Sequence, residues 1–242
     1  MTTEIKSPIM ASIISPPSGE LLPKIERIQN AARERGLGYI ALGFFSGLQE
    51  KVSANEDGVA YIAMNKSGRM DVEPGEDGVI ATSALAGCTG IAGFARRKDG
   101  TIATFISHYD TISQNSKLTG QDTPANKDLY AFKYQAKDED LDGDRYYVIA
   151  YENGEHNNPD YGRKKGIFKD WSYLDQLNVT AAQLGEKSKI ILLPYNAWDS
   201  GHSLASGKSE GVEGIFWDGK KIDIDELLKT LPIDGSSTEA FV

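Results

Sequence analysis

Short apolar runs separated by turn residues dominate the pattern of hydrophobic and polar positions along this chain. Most are four to nine residues long, are rich in β-branched or aromatic residues and end at Gly, Pro, Asp or Ser, which predicts strands. The predicted strands cover residues 38–45, 59–64, 79–85, 90–97, 101–108, 129–135, 145–151, 189–195, 212–217 and 221–224.

Helical spacing of apolar residues is less frequent. It predicts a helix from Pro23 to Gly36, a second at 171–184 and a short third at 225–231. Residues 110–127 and 196–211 are polar and predict loops.

The predicted elements indicate a mixed α/β (α+β) fold, a single-domain β-sheet sandwich with helices packed outside. In this interpretation residues 1–20 form a flexible N-terminal arm, 21–234 the single folded domain and 235–242 a frayed C-terminal tail.

Composition narrows the class of protein. The chain has 242 residues, of which 40% are hydrophobic and 25% charged, and its net charge is −9. This acidity argues against nucleic acid or an anionic membrane as the main partner, because phosphate binding needs clustered Lys and Arg. The single cysteine excludes an internal disulfide. Residues 1–20 show no secretory signal pattern, and no apolar run approaches the roughly 20 residues of a membrane span, so we expect a soluble protein in a reducing compartment.

The only cysteine, Cys88, lies among small residues just before a predicted hairpin. If Lys98-Asp99-Gly100 is a three-residue loop with its glycine at positive φ, Gly90 lies opposite His108. Cys88 and His108 then project from one face as diagonal neighbours, with roughly 7–8 Å between their α-carbons. A two-residue loop would place them on opposite faces, so this prediction depends on the turn.

A thiol beside an imidazole has a specific chemistry. The imidazole favours the thiolate, which is the nucleophilic form of cysteine. Gly87 and Gly90 keep bulky side chains away from Cys88, and backbone N–H groups there could bind an oxyanion. The alternative is a binding domain in which the cysteine is a small buried hydrophobic residue.

The segment Leu85-Ala86-Gly87-Cys88, with Thr82 six residues before the cysteine and His108 on the next strand, resembles the active-site region of bacterial glutamine deamidase toxins. This family includes the catalytic domain of cytotoxic necrotizing factors and the Burkholderia lethal factor, and the chemotaxis receptor glutamine deamidases are distant relatives. Its motif is Leu-Ser-Gly-Cys followed by a histidine, on an α/β sandwich core. The resemblance covers residues 80–110; Ala86 replaces the serine, and the twenty residues from Cys88 to His108 exceed the family's spacing.

The resemblance implies a protein-glutamine deamidase that acts as a toxin or effector. Cys88 would attack a glutamine carboxamide, His108 would protonate the departing ammonia, and hydrolysis of the thioester would leave glutamate. Thr82 would orient the histidine through its backbone carbonyl. A carboxylate is not required as a third group, although Asp110 is near.

The resemblance also implies a substrate class and a location. The substrate would be a protein with a reactive glutamine, of the translation-initiation helicase or Rho-type GTPase class, and no cofactor or metal is expected. We expect a monomer in the bacterial cytoplasm, with export to a host cytoplasm as the route to such a target. A cysteine peptidase or a transglutaminase remains an alternative, since the same pair forms the same acyl-enzyme.

Two further patterns carry less weight. Gly201-His202-Ser203-Leu204-Ala205 imitates a nucleophile elbow, but no histidine follows it to complete a triad, so we interpret it as a surface loop. Asp138 to Asp144 matches the first half of a calcium-binding loop, but Ile149 stands where a bidentate glutamate belongs. An acidic hairpin turn is the favoured interpretation.

Overall fold

The structure, a computed structural model, describes residues 21–34, 49–109, 124–152, 184–195 and 201–224. The helices of this part are α1 (Leu21–Glu34) and α2 (Pro124–Gln135), and a short 3-10 helix covers Asp138–Asp140. The strands are β1 (Glu50–Lys51), β2 (Val59–Tyr61), β3 (Lys66–Val72), β4 (Gly78–Leu85), β5 (Thr89–Arg97), β6 (Ile102–Tyr109), β7 (Leu141–Glu152), β8 (Ser188–Tyr195), β9 (His202–Ser209), β10 (Val212–Trp217) and β11 (Lys220–Lys221).

These strands form two mixed sheets. The first has six strands in the order β1-β3-β6-β5-β7-β8, and the second has five in the order β11-β10-β9-β4-β2. Pairing is antiparallel except for β1 with β3, β7 with β8 and β2 with β4, which are parallel. The chain therefore passes from one sheet to the other between β4 and β5, at Cys88.

The two sheets pack face to face, and a helix covers each outer face. Between the sheets lies an apolar cluster to which both contribute, including Ile80 and Leu204 from one sheet and Ile106 and Val148 from the other. On the outer face of the six-stranded sheet, α2 packs its Phe132 against Phe105 and Tyr147, and α1 packs on the outer face of the five-stranded sheet. The predicted sandwich with helices outside is confirmed.

The hairpin that carries the candidate site forms as predicted. Gly90 lies opposite His108 in the pairing of β5 with β6. Gly100 has a φ of 87°, and the Arg97 N–H donates to the Thr101 carbonyl at 2.9 Å, so the loop has three residues. β6 is buried along its whole length, so its residues pack into the apolar clusters on both faces of the six-stranded sheet.

Several other predicted elements are also present. β4, β8 and β10 match their predictions within a residue or two, α1 begins two residues before Pro23, and Asp218-Gly219 forms the turn between β10 and β11. The runs at 59–64 and 221–224 form shorter strands than predicted, since β2 ends at Tyr61 and β11 covers Lys220–Lys221.

Three predictions are wrong. Residues 129–135 belong to α2 rather than to a strand, so no acidic hairpin turn exists, and Asp138 instead begins the 3-10 helix and pairs with Arg145 at 2.5 Å. In the sequence, Ser67-Gly68 predicts a turn that bounds the strand at 59–64, but the structure places this pair inside β3. His202–Ser209 is β9, a buried strand at the centre of its sheet, not a surface loop.

Other predictions fall outside the described residues. These are the arm at 1–20, the strand at 38–45, the loop at 110–123, most of the helix at 171–184, the helix at 225–231 and the tail at 235–242. The division into arm, domain and tail stays a prediction.

Candidate active site

Thr82 comes from β4 and points into the space between the sheets. Successive side chains of a strand alternate between its faces. Val79 and Ala81 therefore pack toward α1, while Ile80 and Thr82 face the other sheet. After Thr82 the pairing of β4 with β9 is irregular, and Ala84 has a φ of 61°. Such a bulge ends the regular strand just before the chain turns toward Cys88.

The Thr82 hydroxyl joins the two sheets at His108. Its oxygen lies 2.7 Å from His108 Nδ1 and 2.7 Å from the carbonyl oxygen of Ile62, to which it donates. A hydroxyl has one hydrogen, so with that hydrogen on Ile62 it accepts the hydrogen of Nδ1. In the neutral imidazole the proton is thus held on Nδ1, and Nε2 is the unprotonated nitrogen.

His108 is held by its backbone as well as by its ring. The Asn65 N–H donates to the His108 carbonyl at 2.7 Å, and the histidine is only 2% exposed. Thr82 and Asn65 thus fix both the ring and the main chain of the residue, which is the arrangement expected of a preorganised acid–base group.

The neighbours of His108 on β6 project to the opposite face and bind a buried carboxylate. Asp128 of α2 is fully buried and accepts from Ser67 at 3.0 Å, from Ser107 at 2.5 Å and from the Tyr109 hydroxyl in a shorter bond. Burial raises the pKa of Asp128, against the lowering effect of these hydroxyl donors. The cluster anchors β6 to α2 on both sides of His108.

Cys88 lies between β4 and β5, on the inner side of the sandwich. It is 9% exposed and belongs to the apolar cluster between the sheets, with its Sγ 3.9 Å from the Sδ of Met64. A Cβ on Gly90 would lie 3.0 Å from Leu85 and 3.1 Å from Leu204, so the glycine keeps the space beside the hairpin compact. Cys88, His108 and Thr82 all enter the space between the sheets, while their catalytic roles stay a prediction.

Tyr195, at the end of β8, holds the backbone on both sides of the Gly87–Cys88 peptide. The Gly87 N–H donates to its hydroxyl at 3.0 Å, and the hydroxyl donates to the Cys88 carbonyl at 2.5 Å. The Gly87 N–H is therefore engaged by Tyr195, and the expectation that backbone N–H groups near Cys88 bind an oxyanion stays a prediction. The pattern at 189–195 predicts a strand but not its contact with a residue 107 positions away.

A histidine–carboxylate pair lies behind Tyr195. His202 Nδ1 is 2.7 Å from Asp218, which also accepts the Ser203 N–H at 2.8 Å. The His202 ring stacks on Trp217 at 4.7 Å and meets the Tyr195 ring edge-on at 5.3 Å. In the sequence, the only pattern noted in this region was the one at 201–205 that imitates a nucleophile elbow.

The arrangement combines a thiol, a histidine of fixed tautomer and a hydroxyl that fixes it. Thr82 acts through its side chain, which corrects the expectation that its backbone carbonyl orients the histidine. Asp110 lies outside the described residues. Among the side chains that the structure describes, no three His, Cys, Asp or Glu residues are grouped as metal ligands. No helix in the described part of the chain is long and apolar enough to cross a membrane.

Comparison with known proteins gives little further information. No family model and no curated protein matches the chain. Among solved structures, the C-terminal domain of CNFy from Yersinia pseudotuberculosis is similar over 68% of this chain and 54% of that domain, with 10% sequence identity and a TM-score of 0.25. The match spans about half of that domain and leaves the family of this chain unassigned.

Proposed function

We propose that this protein is a cysteine-dependent protein-glutamine deamidase in which Cys88 is the nucleophile and His108 the acid–base group. The observation that carries the proposal is the 2.7 Å hydrogen bond between the Thr82 hydroxyl and His108 Nδ1, on a strand whose His108 lies opposite Gly90. It gives a buried histidine one tautomer next to the segment that bears the chain's only thiol. The resemblance of residues 80–110 to glutamine deamidase toxins supports the same reading.

The proposed reaction needs these groups and water. The Cys88 thiolate attacks the carbon of the glutamine carboxamide, and the protonated Nε2 of His108 gives its proton to the nitrogen, so that the C–N bond breaks and ammonia leaves. Water then attacks the thioester while Nε2 takes one of its protons. The C–S bond breaks, glutamate is released, and the thiolate is restored. Thr82 keeps Nδ1 protonated through both steps.

The depth of Cys88 favours a side chain over a main chain as the group attacked. Cys88 as a whole residue is only 9% exposed, so a slender, unbranched side chain is the group best suited to reach it. A glutamine offers a carboxamide at the end of two methylenes, whereas a peptidase must bring an extended backbone to the sulfur. This supports a deamidase over a cysteine peptidase.

The test compares wild type with Cys88→Ser. Each is incubated with candidate proteins of the translation-initiation helicase and Rho-type GTPase classes, and Gln-to-Glu conversions are mapped by mass spectrometry. We expect one converted glutamine and equimolar ammonia with the wild type and neither with the variant. Equal conversion by both proteins would refute the proposal, while cleaved peptides or incorporation of an added amine would indicate a peptidase or a transglutaminase.

A second candidate function is a binding domain whose cysteine is structural. The observation that favours it is the packing of Cys88 in the apolar cluster, with Met64 Sδ 3.9 Å from its sulfur. Because Cys88 is the only cysteine, iodoacetamide reports on it alone. A structural cysteine would react far more slowly in the native protein than in urea, whereas a nucleophile would react fast near neutral pH.

A further inference from the structure

The Tyr195 hydroxyl bridges two backbone groups that flank the nucleophile. It accepts from the Gly87 N–H at 3.0 Å and donates to the Cys88 carbonyl at 2.5 Å. Gly87 has a φ of 89°, in the left-handed region that glycine alone enters at little cost. Glycine is also the residue with the greatest backbone freedom, so an unrestrained Gly87 would let the Cys88 backbone move.

The Tyr195 hydroxyl restricts that backbone freedom at Gly87 and Cys88. Fixing the Gly87 N–H and the Cys88 carbonyl restricts the backbone rotations of Gly87 and Cys88. These rotations set the direction of the Cα–Cβ bond of Cys88, which carries Sγ. β4 ends at Leu85 and β5 starts at Thr89, so Gly87 and Cys88 lie in the link between the two strands. Tyr195 supplies the restraint from a different strand.

The Tyr195 ring is itself fixed by aromatic contacts. Trp217 lies 5.6 Å from it at an interplanar angle of 43°, and His202 lies 5.3 Å away at 70°. His202 is clamped in turn by Asp218, whose φ of 50° is uncommon for a residue other than glycine. Asp218 thus binds both His202 and the Ser203 N–H from the turn between β10 and β11.

We propose that Tyr195 is a positioning residue for Cys88 and that the His202–Asp218 pair holds the Tyr195 ring in place. The proposal deepens the proposed function, and its catalytic readout rests on that function. Tyr195 does not touch the reacting atoms. It acts by holding the nucleophile's backbone, so its loss affects the rate of attack more than the binding of the substrate.

A purely structural role for Tyr195 is the alternative, since buried tyrosine hydroxyls generally find a partner. Tyr147 provides the matched control. It is also buried, lies on the neighbouring strand β7, and donates to the Leu129 carbonyl at 3.1 Å on the face covered by α2. Tyr147→Phe therefore removes the same hydroxyl and a comparable bond to a carbonyl, away from Cys88.

The first measurement uses no substrate. The rate of Cys88 alkylation by iodoacetamide is followed from pH 5 to 10 in wild type, Tyr195→Phe and Tyr147→Phe, each shown to be folded by circular dichroism. We expect Tyr195→Phe to change the rate at neutral pH by about 10-fold or more and to displace the midpoint of the pH profile, and Tyr147→Phe to reproduce the wild type within about threefold. Matching profiles for the two variants would overturn the proposal.

The second measurement is the kinetics of glutamine conversion. Tyr195→Phe should lower kcat by about 10- to 100-fold with KM unchanged within about threefold, and Tyr147→Phe should leave both near the wild type. A wild type that alkylates fast but converts no glutamine would refute the proposed function while the alkylation comparison still decides the role of Tyr195. A native wild-type thiol that is inert at every pH would overturn both.

Asp218→Asn tests the supporting pair and also serves if Tyr195→Phe does not fold. The amide preserves the shape of the side chain but removes the charge that binds His202. We expect a change in the alkylation rate of about threefold or more in the same direction as that of Tyr195→Phe. A folded Asp218→Asn protein with the wild-type profile would show that the pair does not hold Tyr195.

Discussion

Replacing Thr82 by valine tests whether the Thr82 hydroxyl sets the tautomer of His108 or whether the side chain only fills space between the sheets. Valine has nearly the shape of threonine, so the change creates no large cavity at this fully buried position. It removes a donor from the Ile62 carbonyl and an acceptor from His108 Nδ1, both of which are 2.7 Å from the hydroxyl. Everything else at the site can remain in place.

The structure sets the size of the expected effects. Two buried polar groups lose their partner at about 1–3 kcal/mol each, so the free energy of unfolding should fall by about 2–6 kcal/mol. The lower end of that range corresponds to a fall in Tm of about 4–8 °C for a chain of this size. Without its partner, His108 Nδ1 no longer holds its proton, and the loss of a poised acid–base group should lower kcat by about 100- to 10,000-fold.

Thr82→Ser is the matched control. It keeps the hydroxyl and loses a methyl group, which costs about 1 kcal/mol of stability. Its kcat should stay within about tenfold of the wild type. The assays are urea unfolding, iodoacetamide alkylation of Cys88 across pH, and mass spectrometry of glutamine conversion. Loss of stability in Thr82→Val with the alkylation profile and kcat of Thr82→Ser would refute the view that this hydroxyl prepares His108 for catalysis.

Three further predictions concern stability and can be measured by urea unfolding. The raised folded pKa of Asp128 favours its protonated form, so its contribution to stability is full below the ordinary carboxyl pKa and is lost as pH rises through the folded pKa. Between pH 4 and 8 the free energy of unfolding of Asp128→Asn should therefore rise relative to that of the wild type. A difference between the two proteins that stays constant or shrinks over this range would contradict this. Gly93→Ala would place a Cβ 2.2 Å from Phe105 and should cost about 1–3 kcal/mol, whereas Gly78→Ala, with contacts at 3.5 Å or more, should stay within about 1 kcal/mol of the wild type; equal costs would contradict the overpacking. Arg145→Lys should cost about 2–4 kcal/mol, because one ammonium cannot replace a buried guanidinium that binds Ala136, Asp138 and Ser188; a wild-type midpoint would contradict it.

The elements that the sequence predicted well are those with local causes. The hairpin of β5 and β6 follows from a glycine in the left-handed region at the third loop position and from two apolar runs of equal length. Its register depends on that loop alone, which is why the pairing of Gly90 with His108 could be derived before the fold was known. The helix α1 likewise has apolar residues at helical spacing.

Two strands were not predicted because their buried positions carry small residues or glycine, which in a sequence are typical of loops and turns. In β9 every buried residue except Leu204 is small, and Gly207 is required because a Cβ there would lie 2.2 Å from the Gly78 carbonyl oxygen. In the sequence, Gly68 of β3 looks like a turn residue. Glycine is needed there because a Cβ at this position would lie 2.5 Å from the Ile62 side chain. Close approach between strands, rather than turn geometry, explains both glycines.

In α2 the error is in the type of element, because a strand was predicted where the chain forms a helix. Its buried residues Leu129 and Phe132, and Ala136 just after its end, have helical spacing, but the aromatic residues between them suggested an alternating strand. Only the aromatic cluster on the outer face of the six-stranded sheet, where Phe132 meets Phe105 and Tyr147, decides which of the two periods is used.

By itself the sequence predicted Cys88 as the nucleophile candidate and determined the hairpin in which His108 lies opposite Gly90, because turn chemistry and strand alternation act over a few residues. The tertiary structure alone decided what holds them. The Thr82 hydroxyl reaches His108 across the gap between the sheets, and Tyr195 reaches the Cys88 backbone from 107 residues away. Such contacts depend on which strands neighbour one another and how two sheets pack, and no local pattern of hydrophobic and polar residues encodes that choice.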